Sequence, residues 1–332
     1  MRQRLSHRPA LAVLVAALAA ACGGSGASAP TQPTGGNAQQ ARQYVVSLLD
    51  IMQANSINRF KIDWSSFRAT VLAEAAPAQT IRDTYPAIRT ALRLLGDGHS
   101  FLEVPGGGGV LYVPLRSCAT APAATPTVPP SIGYVRVASF TGSGAAAVAF
   151  ANDIQQAIAA ADRDDLQGWI VDLRGNGGGN MWPMIAGIGP VLGEGVLGYF
   201  IDPLGRESAW EYRAGASRVD GSTQVRVDRA YQLRRPAPRV AVLTDLGVGS
   251  SGEAVTVAFR LRPDTRSFGA ATCGLSTANQ SFPLSDGGVL YLTVGVMADR
   301  GHNRYGVPIP PDELVDADQV VERAIAWLQT GR

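Results

Sequence analysis

The chain has 332 residues, 46% hydrophobic and 17% charged, which is apolar material for two domains or for one large domain with additions. Its net charge of +2, with no basic patch interleaved with aromatics, gives no basis for a nucleic-acid partner. Neutral bases are scarce: Lys61 is the only lysine, the histidines are His7, His99 and His302, and every other cationic side chain is an arginine, which does not give up its proton.

Residues 1–21 join a cationic start (MRQRLSHRP) to an apolar run (ALAVLVAALAAA) that is short for a bilayer span, the pattern of an export signal. Leu18-Ala19-Ala20-Ala21 before Cys22 resembles the lipobox of bacterial lipoproteins, with the leucine one place early. That resemblance implies cleavage before Cys22, acylation of its thiol, and an exported chain tied to the bacterial envelope by a lipid anchor. An ordinary secretory signal cleaved nearby is the alternative, and His7 is removed in both cases. Residues 22–40 (GGSGASAPTQPTGGNAQQ after the cysteine) are low in complexity and read as a flexible tether. In an oxidising compartment the two remaining cysteines, Cys118 and Cys273, suggest one disulfide; two buried, unpaired thiols are the alternative.

Residues 41–96 carry helical periodicity. ARQYVVSLLDIMQANS, FRATVLAEAA after Asp63 and the capping-type serines, and QTIRDTYPAIRTALRLLG stopping at Gly96 make three short helices, a small bundle. Residues 97–332 change to α/β. GGGGVLYVPL reads as a glycine loop and a strand, ATAPAATPTVPPS as a proline-rich surface connection, IGYVRVASF as an alternating strand, and Gly144–Ala161 as an alanine-rich helix. Gly168–Leu173 is an apolar strand running into RGNGGGN and then a helix, MWPMIAGIGPVL. Arg239–Asp245 is another buried strand, followed by Ser250, Ser251 and a helix. GGVLYLTVGVMAD is a long strand, and the last helix covers about Ala317–Leu328. Strands alternating with helices predict a layered α/β core with parallel pairing.

Three segments of this core could carry chemistry. Ser250 and Ser251 fall where a strand meets a helix, and free backbone N–H groups there favour developing negative charge; the same position suits an ordinary serine N-cap. The stretch is not a GxSxG elbow, because Val248 or Glu253 stands where a glycine is needed. A nucleophilic serine needs a neighbour to take its proton. Of the mature chain's imidazoles, His302 lies in a polar turn, whereas His99 (LLGDGHSF) lies where the helical region meets the core, a place for a cleft. RGNGGGN lacks the Gly-Lys-Ser/Thr of a P-loop, and Asn180 breaks a GxGxxG turn. An oxyanion-binding turn or a purely structural turn remains.

Taken in order, LLGDGHSFLEVP, IGYVRVASF, WIVDLRGNGGG, VAVLTDLGVGSSGEAV, FGAATCGLSTANQSFPLSDGGVLYLTV and YGVPIPPDELV resemble the tail-specific, or C-terminal-processing, serine peptidases, which include tricorn protease and the photoreceptor retinoid-binding repeats. The resemblance spans nearly all of Trp64–Val315. It implies a crotonase-like ββα-spiral core with a helical N-terminal region, no cofactor and no metal, and a peptide or protein substrate. The family's nucleophile stands three residues before a glutamate, here Ser250 before Glu253. Ser251 N–H with Gly177 or Gly178 N–H would form the oxyanion hole. The family's lysine base is absent, since GAATCG is followed by Leu275. The tricorn-like branch uses a histidine in the segment matching GDGHS, which makes His99 the base. The acid behind it best matches Asp299, with Asp97 and Glu253 as rivals, Glu253 more as a brace of the nucleophile helix. Only 31 residues lie between Phe101 and Gly133, too few for the PDZ domain that many members insert. A non-catalytic binder of peptide or apolar ligand on the same fold is the alternative function.

Overall fold

The computed structural model describes residues 38–121 and 123–331; the expected export signal, Cys22 and most of the expected tether lie outside the described residues. Three helices open the described chain: α1 (Ala38–Asn55), α2 (Trp64–Ala75) and α3 (Tyr85–Leu95). Asp63 caps α2 by accepting from the Ser65 and Ser66 N–H groups at 3.0 and 3.3 Å. Gly96 ends α3 in the left-handed region, φ +67°, where a side chain is disfavoured. The apolar stripes of these helices do not form a bundle closed on itself. Leu48, Leu49, Ile88 and Leu92 share one core with Leu102, Leu111, Leu290 and Leu292, which belong to strands.

Those strands are part of an antiparallel sheet. β1 (Phe101–Glu103) and β2 (Val110–Tyr112) follow the helices, and β1 pairs with a strand far along the chain, described below as β12. The chain then builds the parallel layer: β3 (Ile132–Arg136), α4 (Gly144–Ala161), β4 (Gly168–Asp172) and α5 (Met181–Leu192). An antiparallel meander follows, with β5 (Gly195–Ile201), β6 (Glu207–Arg213), β7 (Ala216–Val219) and β8 (Ser222–Arg226). The chain returns to the parallel layer through β9 (Val240–Thr244), α6 (Ser251–Phe259) and β10 (Thr265–Gly269). β11 (Thr277–Pro283) and β12 (Val289–Asp299) form a hairpin, and β13 (Glu313–Leu314) and α7 (Val320–Thr330) close the fold. The parallel sheet runs β13-β10-β9-β4-β3, and the larger sheet β2-β1-β12-β5-β6-β7-β8, with β11 also on β12.

The apolar runs in β4 and β9 are unbroken because both faces are covered, as parallel sheets require. Trp169, Val171, Val240 and Val242 pack into the core containing α4, α5 and α6. Their alternates Ile170, Ala241 and Leu243 pack against Phe268 and α7. Each such fully buried aliphatic side chain contributes about 1.5–3 kcal/mol. The architecture is mixed α/β, as expected. The long strand is β12, and the final helix begins three residues later than the periodicity suggests. The meander β5–β8 and the strand β11 were not expected from the pattern.

Candidate active site

The site lies where the parallel strands end, the usual place for ligands on such sheets. Three turns meet there. The turn after β4 carries the glycine run, the turn after β9 carries the serines, and the segment after β3 carries Ser139 and Phe140. Asp245 Oδ1 accepts from Gly175 and Gly247 N–H, both at 2.9 Å, and so ties the first two turns together. Gly249 N–H donates to Asn176 O at 3.0 Å. Phe140 and Gly179 form a parallel bridge that brings in the third.

Ser250 is the N-cap of α6, with φ +50° and ψ −117°, a conformation a side-chain-bearing residue rarely adopts. Glu253 Oε2 holds its N–H at 3.1 Å. The other oxygen of Glu253 accepts from Thr272 Oγ1 and, at 2.8 Å, from Gly274 N–H. Glu253 is completely buried, and that burial pushes its carboxyl up to about 7 against the pull of its donors. Glu253 therefore braces the turn. Gly178 supplies the room: a Cβ there would stand 2.8 Å from both Gly249 O and Ser250 Cβ.

His99 sits on the loop after α3. Asp97 Oδ1 accepts from His99 N–H and Ser100 N–H at 2.9 and 2.7 Å, and Asn279 Nδ2 donates to His99 O at 3.0 Å. The loop is thus fixed on both sides, and the ring enters the site at a set angle. His99 Nε2 is 3.0 Å from Ser250 Oγ, across 151 positions of sequence. The ring is 7% exposed, and burial lowers its pKa from 6.5 to about 4. It is therefore neutral at neutral pH, able to accept a proton.

The expected acid is elsewhere. Asp299 ends β12 and folds over its own turn: it accepts from Gly301 N–H at 2.9 Å, Asn303 N–H at 3.1 Å and Tyr305 OH at 2.9 Å. None of its hydrogen bonds reaches His99, which corrects the reading from motif position. Asp97 holds the loop backbone and Ser100, not the imidazole. His99 Nδ1 instead meets Thr277 Oγ1 at 2.7 Å. Nothing in the sequence distinguishes Thr277 from the threonines around it.

Of the expected N–H donors, Ser251 is as anticipated but the two glycines are engaged. Gly177 N–H donates to Ser139 Oγ at 2.9 Å and Gly178 N–H to Asn176 Oδ1 at 3.0 Å. Among the described residues, the N–H groups of Ser251 and Gly179 find no acceptor. Ser251 spends its hydroxyl on Gly179 O at 2.7 Å, fastening the helix N-terminus to the glycine turn. Cys118 and Cys273 form a disulfide with Cα atoms 5.5 Å apart, which decides between the two readings of these cysteines. Cys273 N–H donates to Val248 O at 2.7 Å, so the bridge pins the proline-rich connection to the serine turn.

His99 and Ser250 open into a cavity of about 570 Å³, walled mostly by apolar side chains including Met181, Phe200, Leu275 and Met297. The size suits a small-molecule or side-chain ligand. A buried neutral imidazole touching a serine at a helix N-terminus, next to unengaged backbone N–H groups, is the geometry that nucleophilic serine chemistry requires.

The chain belongs to peptidase family S41, whose family model matches residues 131–315. It is 28% identical over 273 residues to the nisin-resistance protein of Lactococcus lactis subsp. lactis, covering 81% of this chain and 80% of that protein. A solved lipoprotein from Streptococcus agalactiae superposes with a TM-score of 0.70 at 20% identity, over 92% of this chain and all (100%) of that one. The photosystem II D1 C-terminal processing protease superposes with a TM-score of 0.55 at 17% identity, over 87% and 97% of the two chains. At these identities the two superpositions establish a shared fold.

Proposed function

We propose that the chain is an envelope-anchored serine peptidase that hydrolyses peptide bonds with Ser250 as nucleophile and His99 as base. The observation that carries this reading is the 3.0 Å approach of His99 Nε2 to Ser250 Oγ at the wall of the cavity. With Nδ1–H donating to Thr277 Oγ1, the Nε2 lone pair faces the serine hydroxyl. Ser250 Oγ attacks the substrate carbonyl carbon as its proton passes to Nε2. The carbonyl oxygen becomes an oxyanion that Ser251 N–H stabilises with an N–H of the glycine run, either Gly179 or Gly177 once released from Ser139. Collapse of this intermediate breaks the C–N bond, and the imidazolium protonates the departing amine. Water then repeats the sequence on the acyl-enzyme, returning the proton to Ser250.

A serine-directed phosphonate tests the chemistry. Wild type is expected to label once, at Ser250, with Ser250→Ala unlabelled and its turnover down by at least about 1,000-fold. A wild-type protein that takes up no label would support the other reading, a binder of apolar ligand, which the apolar wall of the cavity favours. The anchor is assigned to Cys22, outside the described residues. The Streptococcus lipoprotein and the envelope setting of an export signal motivate it, and Cys22→Ser is expected to abolish metabolic incorporation of labelled palmitate. Peptides are the substrate class, and nisin, for which the Lactococcus relative is named, belongs among the compounds assayed.

A further inference from the structure

Strand β1 begins two residues after His99, and its register decides what one wall of the cavity presents. Phe101 pairs with Tyr112 of β2 on one side and Tyr291 of β12 on the other. Glu103 lies two places on, so it shares a face with Phe101, while Leu102 between them is buried in the helical core. Phe101, Glu103, Tyr112 and Tyr291 all line the cavity. The rings form one cluster: Phe101 stacks on Tyr291 with centroids 4.6 Å apart and planes at 17°, and meets Tyr112 edge-on at 6.4 Å. Burial first, and then the nearby negative charge of Glu103, hold the Tyr291 hydroxyl's pKa above its ordinary value.

Among the described residues, Glu103 is the one carboxylate on the cavity wall, and no lysine or arginine lines it. Among the described residues Glu103 forms no ion pair. A half-buried carboxylate beside aromatic faces, without a cation of its own, has the complement of an ammonium or guanidinium group: charge at the oxygens, ring faces along the stem and head. Apolar walls strengthen that attraction relative to open water.

We propose that β1 forms a subsite for a lysine or arginine side chain of the peptide being cleaved, with Glu103 taking the charge and Phe101 and Tyr291 the rest of the side chain. This rests on the peptidase reading for its place in catalysis. Glu103 follows His99 by four residues, so the subsite is at most about 14 Å along the chain from the base. The cationic residue therefore falls within about four positions of the scissile bond.

The test uses fluorogenic octapeptides that carry lysine, norleucine or glutamate at each position in turn. For wild type, one position is expected to show kcat/KM roughly tenfold higher with lysine than with norleucine, an effect of ion-pair and cation–π size. In Glu103→Gln that ratio is expected to fall to about one. In Glu103→Lys the order inverts, glutamate exceeding lysine. A wild type indifferent to charge at every position, or a Glu103→Gln variant with the wild-type ratio, overturns the subsite. Should wild type cleave none of the peptides, the peptidase reading fails, and the subsite is judged separately. Fluorescence anisotropy with Ser250→Ala is then expected to show tighter binding of a lysine peptide than of its norleucine partner, and equal affinities overturn it.

Discussion

Thr277 Oγ1 stands 2.7 Å from Nδ1 of His99, on the opposite side of the ring from Ser250. A hydroxyl there can hold the tautomer and the ring angle, as a carboxylate does in a Ser–His–Asp arrangement, but it brings no charge to stabilise the imidazolium. The two tasks of the third residue are thereby separated. Thr277→Val, which keeps the shape and loses the acceptor, is expected to lower kcat by about 10- to 100-fold, while Thr277→Ser retains most of it. Thr277→Asp adds a negative charge beside the ring and is expected to move the acid limb of the pH–kcat/KM profile upward. A profile unchanged in the aspartate variant would show that residue 277 does not address the imidazole.

The pH dependence follows from the buried ring. His99 must be neutral to accept the serine proton, and burial places its pKa at about 4. The acid limb of kcat/KM is therefore expected near pH 4, well below the usual histidine range. Because the folded pKa lies below the unfolded one, the unfolded chain binds more protons between about 4 and 6.5. Stability then falls as pH drops through that window, by roughly 3 kcal/mol at most from this group. Glu253 acts in the opposite direction: its pKa is raised to about 7 by burial, so ionising it costs stability as pH rises from about 4.5 to 7. Thermal unfolding of His99→Gln and Glu253→Gln across pH 4–8 separates the two slopes.

Two neighbouring glycines are expected to differ sharply. Gly178 has φ +105°, and a Cβ there meets Gly249 O, Ser250 Cβ and Ser251 N within 2.9 Å. Gly178→Ala is expected to cost about 1–3 kcal/mol and to displace Ser250. At Gly177 the nearest atoms to a Cβ are 3.9 Å away, so Gly177→Ala is expected to leave the melting temperature nearly unchanged. Equal melting temperatures for the two variants would contradict this account of the turn.

The Cys118–Cys273 bridge closes a loop with a sequence separation of 155. Its loss, in the double variant Cys118→Ser/Cys273→Ser, is expected to cost about 2–4 kcal/mol by chemical denaturation. Since Cys273 also bonds the serine turn, turnover is expected to fall with it even at temperatures where the protein stays folded.

His99 stood out because a chain with one lysine and one well-placed histidine leaves few choices of base, whereas Ser250 was separated from Ser251 only by the resemblance that puts the serine three residues before Glu253. β4 and β9 were legible because a strand buried on both faces writes an unbroken apolar run. Thr277 was not, since it meets His99 across 178 positions and threonine carries no motif. Asp299 misled because an aspartate closing its own turn has the same one-dimensional signature as a catalytic acid. The engaged state of Gly177 and Gly178 N–H depends on Ser139 and Asn176, whose side chains could not be placed from spacing. β6 does alternate, with Ser208, Trp210 and Tyr212 buried between more exposed neighbours, but β11, β5, β7 and β8 follow from their pairing partners.

His99 is anchored beside the core built by α1–α3, whereas Ser250 is anchored to the core around α4–α6. The single 3.0 Å contact between them therefore works as a gauge of how the two cores are docked. Strand β12 contributes to both cores, Leu290 and Leu292 to the first and Met297 to the second, so a distortion of about an ångström there is expected to lower turnover by about 100-fold. Damage in the amino-terminal helices is therefore expected to reach the site: a substitution as remote as Leu48→Ala is expected to lower the melting temperature and turnover together.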